Sequence, residues 1–198
     1  MKAIAKFYNG LKKDRGDRQM KYLIFSDIHG SATRTKVLLE IFEKEQCDKM
    51  IILGDVLYHG PRNDLPEGHN PKKVVTLLNA HQDRIVCVRG NCEAEVDQMV
   101  LDFPCLETYT LIVDEGTTLF ATHGHHYNPD KLPTLQAEDV FLYGHTHLWE
   151  LSQKEGIRIC NPGSISLPKE NRPATYALYE EGKLSVYTLE GECLASEL

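Results

Sequence analysis

Polar side chains at the ends of apolar segments constrain the fold of this chain more than any other feature. Asp27 comes shortly after the apolar run that ends at Phe25, and Asp55 comes shortly after the run that ends at Leu53. The whole set, in which each residue follows an apolar run or a glycine-containing turn, is Asp27, His29, Asp55, Asn91, His123, His145 and His147. In open α/β sheets, ligands collect beyond the carboxyl ends of the strands. A fold of this class would therefore bring these seven residues to one place.

The first half of the sequence predicts strands that alternate with helices. The predicted strands are Tyr22–Ser26, Lys49–Leu53 and Arg84–Val88. The predicted helices are one capped by Ser31 that runs to about Glu45, one that begins at Pro71, and a short one over Ala94–Leu101. Such alternation predicts right-handed βαβ units and a parallel sheet.

The second half predicts short strands separated by glycine-containing turns. Glu115-Gly116, Glu155-Gly156 and Glu181-Gly182 have the composition of hairpin connections. Together the two halves predict an α/β fold in which two packed β-sheets carry helices on their outer sides. We expect residues 20–198 to form a single domain.

Residues 1–19 differ from the rest because they are basic, polar and without sustained periodicity. We interpret them as an N-terminal extension that is disordered or results from an upstream start codon. A basic arm that binds a partner is the alternative. The stretch has no apolar core of a secretory signal, and no run of residues is apolar enough for a transmembrane helix.

Composition excludes some functions and indicates a location. The chain has 22 basic and 29 acidic residues and a net charge of −7, so it lacks the basic surface that binding to long nucleic acids requires. Its six cysteines show no short framework spacing and are interpreted as reduced thiols. We therefore expect a cytoplasmic protein without membrane contacts.

The ligand types themselves indicate a reaction class. Two carboxylates, one amide oxygen and four imidazoles are sufficient to hold two divalent cations, with one carboxylate bridging them. Paired cations of this kind clamp the attacking and leaving oxygens of an in-line displacement at phosphorus. Taken alone, His145 and His147 are equally consistent with two residues on one face of a strand. The nearby pattern of Asp27, His29 and Asp55 favours metal ligation.

The motifs around these residues resemble those of the calcineurin-like metallophosphoesterases, most closely the small phosphodiesterases of the YfcE type. The matching segments are Ser26-Asp27-Ile28-His29-Gly30, the long run Leu53-Gly54-Asp55-Val56-Leu57-Tyr58-His59-Gly60-Pro61-Arg62-Asn63, Val88-Arg89-Gly90-Asn91-Cys92, Thr122-His123-Gly124-His125, Tyr143-Gly144-His145-Thr146-His147 and Asn161-Pro162-Gly163-Ser164. The resemblance extends over essentially everything from Met20 onward. It implies a four-layer α/β/β/α sandwich with two mixed sheets flanked by helices.

The resemblance also implies a role for each ligand. One metal would be held by Asp27, His29 and His147, the other by Asn91, His123 and His145, and Asp55 would bridge them. A hydroxide between the metals would attack a phosphodiester. Manganese is the expected metal, with zinc, iron and nickel as alternatives, because oxygen and imidazole ligands suit all of them.

Cys92 departs from the superfamily pattern, in which a histidine protonates the leaving group. A thiol is a poorer acid near neutral pH, so we expect poor activity on alkyl phosphomonoesters. His59 could replace the missing acid or bind phosphate, and Arg62, Asn63 and His125 are candidate substrate-binding residues. An exposed loop position is the alternative for His59, an ordinary surface position is the alternative for Arg62, and an inert space-filling role is the alternative for Cys92.

The rival hypothesis is a non-catalytic scaffold of the same fold, as in the eukaryotic retromer subunit. That protein has lost part of its metal site, whereas all seven ligand positions are filled here. The predicted partner is thus a small phosphodiester substrate, and self-association into a homo-oligomer is a further expectation.

Overall fold

The structure, a computed structural model, describes residues 19–197. The predicted N-terminal extension lies outside this range except for Gln19. The strands are β1 (Tyr22–Phe25), β2 (Lys49–Ile52), β3 (Ile85–Cys87), β4 (Tyr109–Asp114), β5 (Thr117–Thr122), β6 (Val140–Leu142), β7 (Trp149–Lys154), β8 (Ile157–Pro162), β9 (Thr175–Glu180), β10 (Lys183–Thr188) and β11 (Cys193–Ser196). The helices are α1 (Ala32–Lys44), α2 (Pro71–Asn79) and α3 (Glu95–Gln98), with a 3₁₀ turn at Gln82–Arg84.

Two mixed β-sheets form the body of the molecule, as predicted. The six-stranded sheet has the order β11-β10-β9-β1-β2-β3, and the five-stranded sheet has the order β4-β5-β6-β8-β7. Strands β1, β2 and β3 are parallel to one another, as are β5, β6 and β8, and the other pairs are antiparallel. The predicted α/β fold class is confirmed. Within residues 19–197, no helix has the length and apolar character needed to cross a membrane.

The two longer helices begin where the sequence predicts. Ser31 caps α1 through its side-chain oxygen, which accepts a hydrogen bond from the amide of Arg34 at 3.3 Å. Asn70 caps α2 in the same way with the amide of Lys73 at 3.1 Å, and Pro71 occupies the first turn. Both caps satisfy amides that a helix start leaves without an internal partner. The third helix is shorter than predicted, since α3 ends at Gln98 rather than Leu101.

Alternation along the strands divides the core into layers. In β1, Leu23 and Phe25 pack on the helix side of the six-stranded sheet with Phe42 of α1. Ile24 points the other way, into the core between the two sheets, where Leu142 of β6 also lies. This period of two is the normal geometry of a strand buried on both faces.

The outer face of the five-stranded sheet has a different cover. Phe120 and Phe141 on that face pack with Tyr127, Leu132 and Leu135. These three residues belong to the connection between β5 and β6, in which the structure shows turns and extended segments. Helices α1 and α2 therefore cover the six-stranded sheet. A long connection covers the five-stranded sheet, where the sequence predicts a layer of helices.

All three predicted hairpin turns are confirmed. Each glutamate-glycine pair links adjacent antiparallel strands, and both residues of every pair have positive φ, for example 46° at Glu115 and 90° at Gly116. Positive φ at both central residues is what type I′ turns require.

One strand escaped prediction. Strand β11 pairs with β10 at the edge of the six-stranded sheet, with a shift of register between Val186 and Tyr187. Its ends are exposed and its middle is only half-buried, so its side chains carry no strong apolar alternation. Edge pairing of this kind is decided by the neighbouring strand rather than by local pattern.

Candidate metal centre

The predicted ligands converge at the carboxyl ends of parallel strands from both sheets. Asp27, Asp55 and Asn91 follow β1, β2 and β3, whereas His123 and His145 follow β5 and β6. Parallel strands end at the same edge of a sheet, and packing of the two sheets brings both edges together. The site therefore spans the two sheets.

Most of the predicted ligands adopt a backbone conformation that side chains disfavour. The residues with left-handed φ are Asp27 at 56°, His29 at 48°, Asp55 at 56°, His145 at 67° and His147 at 62°. Such a conformation costs about 1–3 kcal/mol at each non-glycine residue. A concentration of strained positions in one place is typical of functional sites, because surrounding structure must hold them there.

The first half of the site consists of Asp27, His29 and His147. The Nε2 atoms of the two histidines lie 3.3 Å apart. Oδ1 of Asp27 lies 3.3 Å from Nε2 of His147 and 3.7 Å from Nε2 of His29. These three residues form one of the groups whose ligating atoms are close enough to hold a metal ion together, and all three are buried.

The second half consists of Asn91, His123 and His145. Oδ1 of Asn91 lies 3.0 Å from Nε2 of His123 and 2.7 Å from Nδ1 of His145. The two histidine nitrogens are 3.3 Å apart. Asn91 is exposed and His145 half-buried, so this half faces the solvent more than the first.

Asp55 lies between the two halves. Its Oδ2 atom is 3.7 Å from Nε2 of His29 on one side and 3.5 Å from Nε2 of His123 on the other. Its Oδ1 atom accepts a hydrogen bond from the amide of Cys92 at 2.9 Å. The carboxylate is thus oriented by one oxygen, and the other oxygen is in contact with both halves.

Backbone carbonyls fix the tautomer of three histidines. The Nδ1–H groups of His29, His123 and His147 donate to the carbonyl oxygens of Tyr58 at 2.7 Å, Leu53 at 2.6 Å and Leu167 at 2.6 Å. A carbonyl oxygen can only accept, so Nδ1 carries the hydrogen and Nε2 of a neutral ring presents a lone pair. This arrangement is the usual support of histidine ligands in metal sites.

The resulting donors fit a cation. Among residues 19–197, Oδ1 of Asp27 is buried and has no hydrogen-bond partner. Both this oxygen and Nε2 of His29 lie close to Nε2 of His147. All three atoms are hydrogen-bond acceptors when both rings are neutral. Lone pairs this close require a positive charge between them, from protons or from a metal. The donor set of carboxylate, amide and imidazole groups suits a divalent metal.

Comparison with known proteins decides the family. Residues 20–183 match the family model of the calcineurin-like phosphoesterase superfamily domain. The chain is also 45% identical over 179 residues to phosphodiesterase YfcE of Escherichia coli strain K12, covering 90% of this chain and 97% of that protein. It belongs to the calcineurin-like phosphoesterase superfamily.

Solved structures agree with this assignment. The structure of YfcE, a phosphoesterase from E. coli, superposes with a TM-score of 0.88 at 46% identity, over 90% of this chain and 98% of that one. Vacuolar Protein Sorting 29 from Cryptosporidium parvum superposes with a TM-score of 0.64 at 18% identity, over 91% and 98%. The second likeness concerns the fold alone.

The charges of the phosphoesterase site favour an ionised carboxylate. Burial acts to raise the pKa of Asp27, but contacts with His147 and His29 outweigh it and lower the pKa well below its usual range. Burial likewise acts to lower the pKa of His29, and the carboxylates of Asp27 and Asp55 reverse this effect and raise it. Both shifts favour a proton on His29 beside the carboxylate of Asp27, and a metal at this position would compete with that proton.

Glu93 connects the loop that carries Asp55 to the loop that carries Asn91, a role that the sequence did not predict. Its buried carboxylate accepts hydrogen bonds from the amides of Asp55 at 2.9 Å, Val56 at 2.6 Å and Gly90. These amides belong to the two loops that carry Asp55 and Asn91. The sequence shows Glu93 only as the residue after Cys92. Its bracing role could not be predicted from local pattern, because Asp55 and Val56 are distant in sequence.

Asn161 supports the loop of His145 and His147. Its side-chain amide donates to the carbonyl oxygen of Gly144 at 2.9 Å and to Oγ1 of Thr146 at 3.0 Å. The contacts show that Asn161 holds the backbone on which both histidines stand.

A cleft of about 480 Å³ opens beside the ligands. Of the predicted catalytic and substrate-binding residues, Cys92, Arg62 and Asn63 line it. Lys169 also lines it and was not singled out from the sequence.

Two other predicted residues lie elsewhere. His59 is not part of the cleft wall, because its ring packs against Tyr58 and His69 with centroid distances of 4.9 and 5.5 Å. His125 lines a neighbouring cavity with Arg89. Burial and the adjacent histidines lower the pKa of His125 to about 4, so its ring is neutral near pH 7.

Cys92 has the properties of a thiol rather than of a thiolate. Burial and the nearby charge of Asp55 raise the pKa of its thiol well above the usual range. It is half-buried, and its Sγ atom accepts a hydrogen bond from the side-chain amide of Asn91 at 3.3 Å. This bond turns the amide oxygen of Asn91 toward His123 and His145.

Proposed function

We propose that this chain is a divalent-metal-dependent phosphodiesterase with a dinuclear centre. Asp27, His29 and His147 would hold one metal, and the second metal would be held by the other half of the site. Its ligands would be Asn91, His123 and His145. The observation that carries this proposal is the position of Asp55, whose Oδ2 atom contacts both clusters of donor atoms.

Manganese is the first choice of metal, with zinc, iron and nickel as alternatives. The proposed ligands are oxygen and imidazole groups, which suit all four metals. Cys92 lies in a group with His29 and Asp55 that is compact enough to hold an ion. We do not assign it as a ligand, because the raised pKa of its thiol disfavours the thiolate that metals bind.

Bound divalent cations would neutralise phosphoryl oxygens and lower the pKa of a water molecule, which is the chemistry of two-metal hydrolysis. The chain's own residues hold the donor atoms in place through the carbonyl contacts of His29, His123 and His147. In the cleft, Arg62 and Asn63 would contact the substrate.

The absence of an acid at Cys92 would determine which esters are cleaved. A thiol with a raised pKa gives up its proton poorly, so it would not assist departure of an alkoxide. Leaving groups that depart without protonation would be tolerated. Alkyl phosphomonoesters would be poor substrates, and an activated phosphodiester would be a good one. The name of the E. coli relative, phosphodiesterase YfcE, supports this choice.

A scaffold without activity is the alternative function, and the likeness of fold to Vacuolar Protein Sorting 29 is its basis. That likeness stands at 18% identity, whereas the relative named as a phosphodiesterase stands at 45%. The convergence of all seven ligand positions favours the enzyme.

A cytoplasmic location is part of the proposal. The six cysteines are all free, and four of them are buried. Proteins of oxidising compartments usually pair their cysteines, so free thiols favour a reducing compartment. The prediction of a homo-oligomer stays a prediction.

The test is hydrolysis of bis-p-nitrophenyl phosphate and p-nitrophenyl phosphate by metal-stripped protein, with and without added manganese. We expect diesterase activity that depends on metal and greatly exceeds monoesterase activity. Equal rates on the two esters would contradict the preference for diesters. The role given to Cys92 is tested by an alkyl monoester such as β-glycerophosphate, which should be hydrolysed poorly. Inactivity with every divalent metal, despite measured metal binding, would favour the scaffold.

A further inference from the structure

The cleft offers more space and more positive charge than the scissile phosphate needs. Its volume of about 480 Å³ lies in the range of sites that hold whole small molecules. Beyond the metal-ligating residues, its wall contains Arg62, Asn63, Thr146 and Lys169. Pro61 is the single large hydrocarbon side chain that the described residues contribute to the wall. Such a wall offers charged and hydrogen-bonding groups to a polar substituent.

Arg62 stands on a segment that is anchored to the metal centre. Four residues before Arg62, the carbonyl oxygen of Tyr58 accepts a hydrogen bond from Nδ1–H of His29 at 2.7 Å. Within the same loop, the side chain of Asn63 donates to the carbonyl oxygen of His59 at 2.7 Å. The guanidinium is exposed at the cleft, so its position follows from the anchored backbone rather than from burial.

Lys169 stands on a second anchored segment. The carbonyl oxygen of Leu167 accepts the Nδ1–H of His147 at 2.6 Å, and the hydroxyl of Ser166 donates to the carbonyl oxygen of Asp27 at 2.9 Å. Both segments are therefore attached to residues of the same half of the site. Arg62 and Lys169 line the same cleft as His29 and His147 of that half.

Neither cation is neutralised within the described part of the chain. Arg62 and Lys169 form no ion pair there, and Glu170, the acidic neighbour of Lys169, pairs instead with Arg172 at 3.5 Å. The protein as a whole carries a charge of −7. Two cations without an ion-pair partner among the described residues therefore line one cleft of an acidic protein, and beside bound metal ions they would attract anions.

We propose that Arg62 and Lys169 select phosphodiesters that carry a second anionic group, a phosphate or a carboxylate, on one of their substituents. This inference rests on the proposed function, because the scissile diester must lie at the metal centre. Arginine binds phosphate and carboxylate oxygens through two parallel N–H groups, and lysine adds a point charge. The anion would lie between the two anchored segments.

A matched pair of substrates tests the proposal. Thymidine 5′-(p-nitrophenyl phosphate) has one anionic group, and its 3′-phosphate derivative has the same leaving group and a second anionic group. With manganese-loaded wild-type protein, we expect kcat/KM to be about tenfold higher for the 3′-phosphate derivative, mainly through a lower KM. The preference should shrink as salt increases, because the cations are exposed.

Variants identify the residues responsible. R62A and K169A should each reduce the preference, and the double variant should abolish it. K72A removes a positive charge from helix α2, away from the cleft, and should leave the preference unchanged. The preference is the kcat/KM of the 3′-phosphate derivative divided by that of the parent diester. A wild-type ratio of one or less would overturn the proposal, as would a ratio that stays high in the double variant. Equal losses on both substrates would also overturn it, since the cations would then serve the scissile phosphate alone.

Binding supplies a readout that does not depend on turnover. Calorimetric titration with thymidine 3′,5′-bisphosphate and thymidine 5′-phosphate should show tighter binding of the bisphosphate to wild type and equal binding to the double variant. Equal binding of the two nucleotides to wild type would contradict the proposal. Failure of the proposed function is a separate outcome, namely no hydrolysis of bis-p-nitrophenyl phosphate by the metal-loaded protein.

Discussion

At the scale of single residues, the site depends on backbone groups as much as on ligands. Carbonyl oxygens from Leu53, Tyr58 and Leu167 determine which nitrogen of each histidine is free. The buried carboxylate of Glu93 holds amides of two ligand loops at once. Substitutions at such supporting positions should act on metal binding without removing any ligand.

We expect E93Q to weaken manganese binding about tenfold, in the range found when supporting contacts of metal ligands are lost. The amide nitrogen of glutamine cannot accept from a backbone N–H, so part of the bracing of Asp55, Val56 and Gly90 is removed. Manganese affinity can be measured by competition with a chelator. E95Q changes an exposed glutamate of helix α3 and is the matched control. An unchanged affinity in E93Q would show that the bracing is unimportant.

We expect C92H to increase hydrolysis of β-glycerophosphate relative to bis-p-nitrophenyl phosphate by about a hundredfold, the lower range for a positioned general acid. An imidazole titrates near neutral pH, whereas burial and Asp55 keep the thiol of Cys92 protonated. Rates on both esters at pH 7 provide the measurement. C92S, which offers no such acid, should show no increase. If both variants behave like wild type, position 92 does not face the leaving group.

At the scale of elements, the predictable and unpredictable parts of the structure have different physical origins. Strand ends such as Phe25 and helix caps such as Ser31 are encoded locally, by apolar runs and capping side chains, and they were predicted to within a few residues. Strand β11, the bracing by Glu93 and the position of Lys169 depend on contacts between distant segments. Those contacts exist only once the sheets have packed, so local patterns carry no record of them.

Two glycines with nearly the same backbone conformation should respond differently to alanine. Gly116, with φ of 90°, has open space around an added Cβ, so G116A should lower the free energy of unfolding by about 1–2 kcal/mol and leave metal binding intact. Gly54, with φ of 93°, lies against Gly90, and an added Cβ would come within 2.5 Å of the amide nitrogen of Gly90.

We expect G54A to destabilise the protein more than G116A and to weaken manganese binding, because the loops of Asp55 and Asn91 must separate. Chemical denaturation and metal titration of the two variants provide the comparison. Equal effects of both substitutions on stability and on metal affinity would contradict a close packing requirement at the ends of β2 and β3.

At the scale of the whole molecule, the candidate centre joins the two sheets. Asp27, Asp55 and Asn91 extend from the six-stranded sheet, and His123 and His145 extend from the five-stranded one. A bound cation would therefore stabilise the packing of the sheets as well as the loops that bind it. A ligand that binds the folded state alone raises the free energy of unfolding by about 2.7 kcal/mol at a concentration of 100 times its Kd.

Manganese should raise the melting temperature of wild-type protein, and D27N should abolish most of this increase. The substitution preserves volume but removes the negative charge whose Oδ1 atom faces His147. D130N, at an exposed carboxylate beside Lys154, is the control and should retain the full increase. Thermal unfolding with and without manganese measures both. A full increase in D27N would mean that the cation binds elsewhere.

The contact between His29 and His147 also determines when, during synthesis, the first half of the site can form. These residues are 118 positions apart in sequence, and their ring nitrogens meet only in the folded protein. Ribosomes add about 5–20 residues per second, so on the order of ten seconds separates the synthesis of the two. During that interval Asp27 and His29 lack His147, the third residue of their half of the site. A metal held by all three residues would consequently be bound late, after both sheets have emerged from the ribosome and packed.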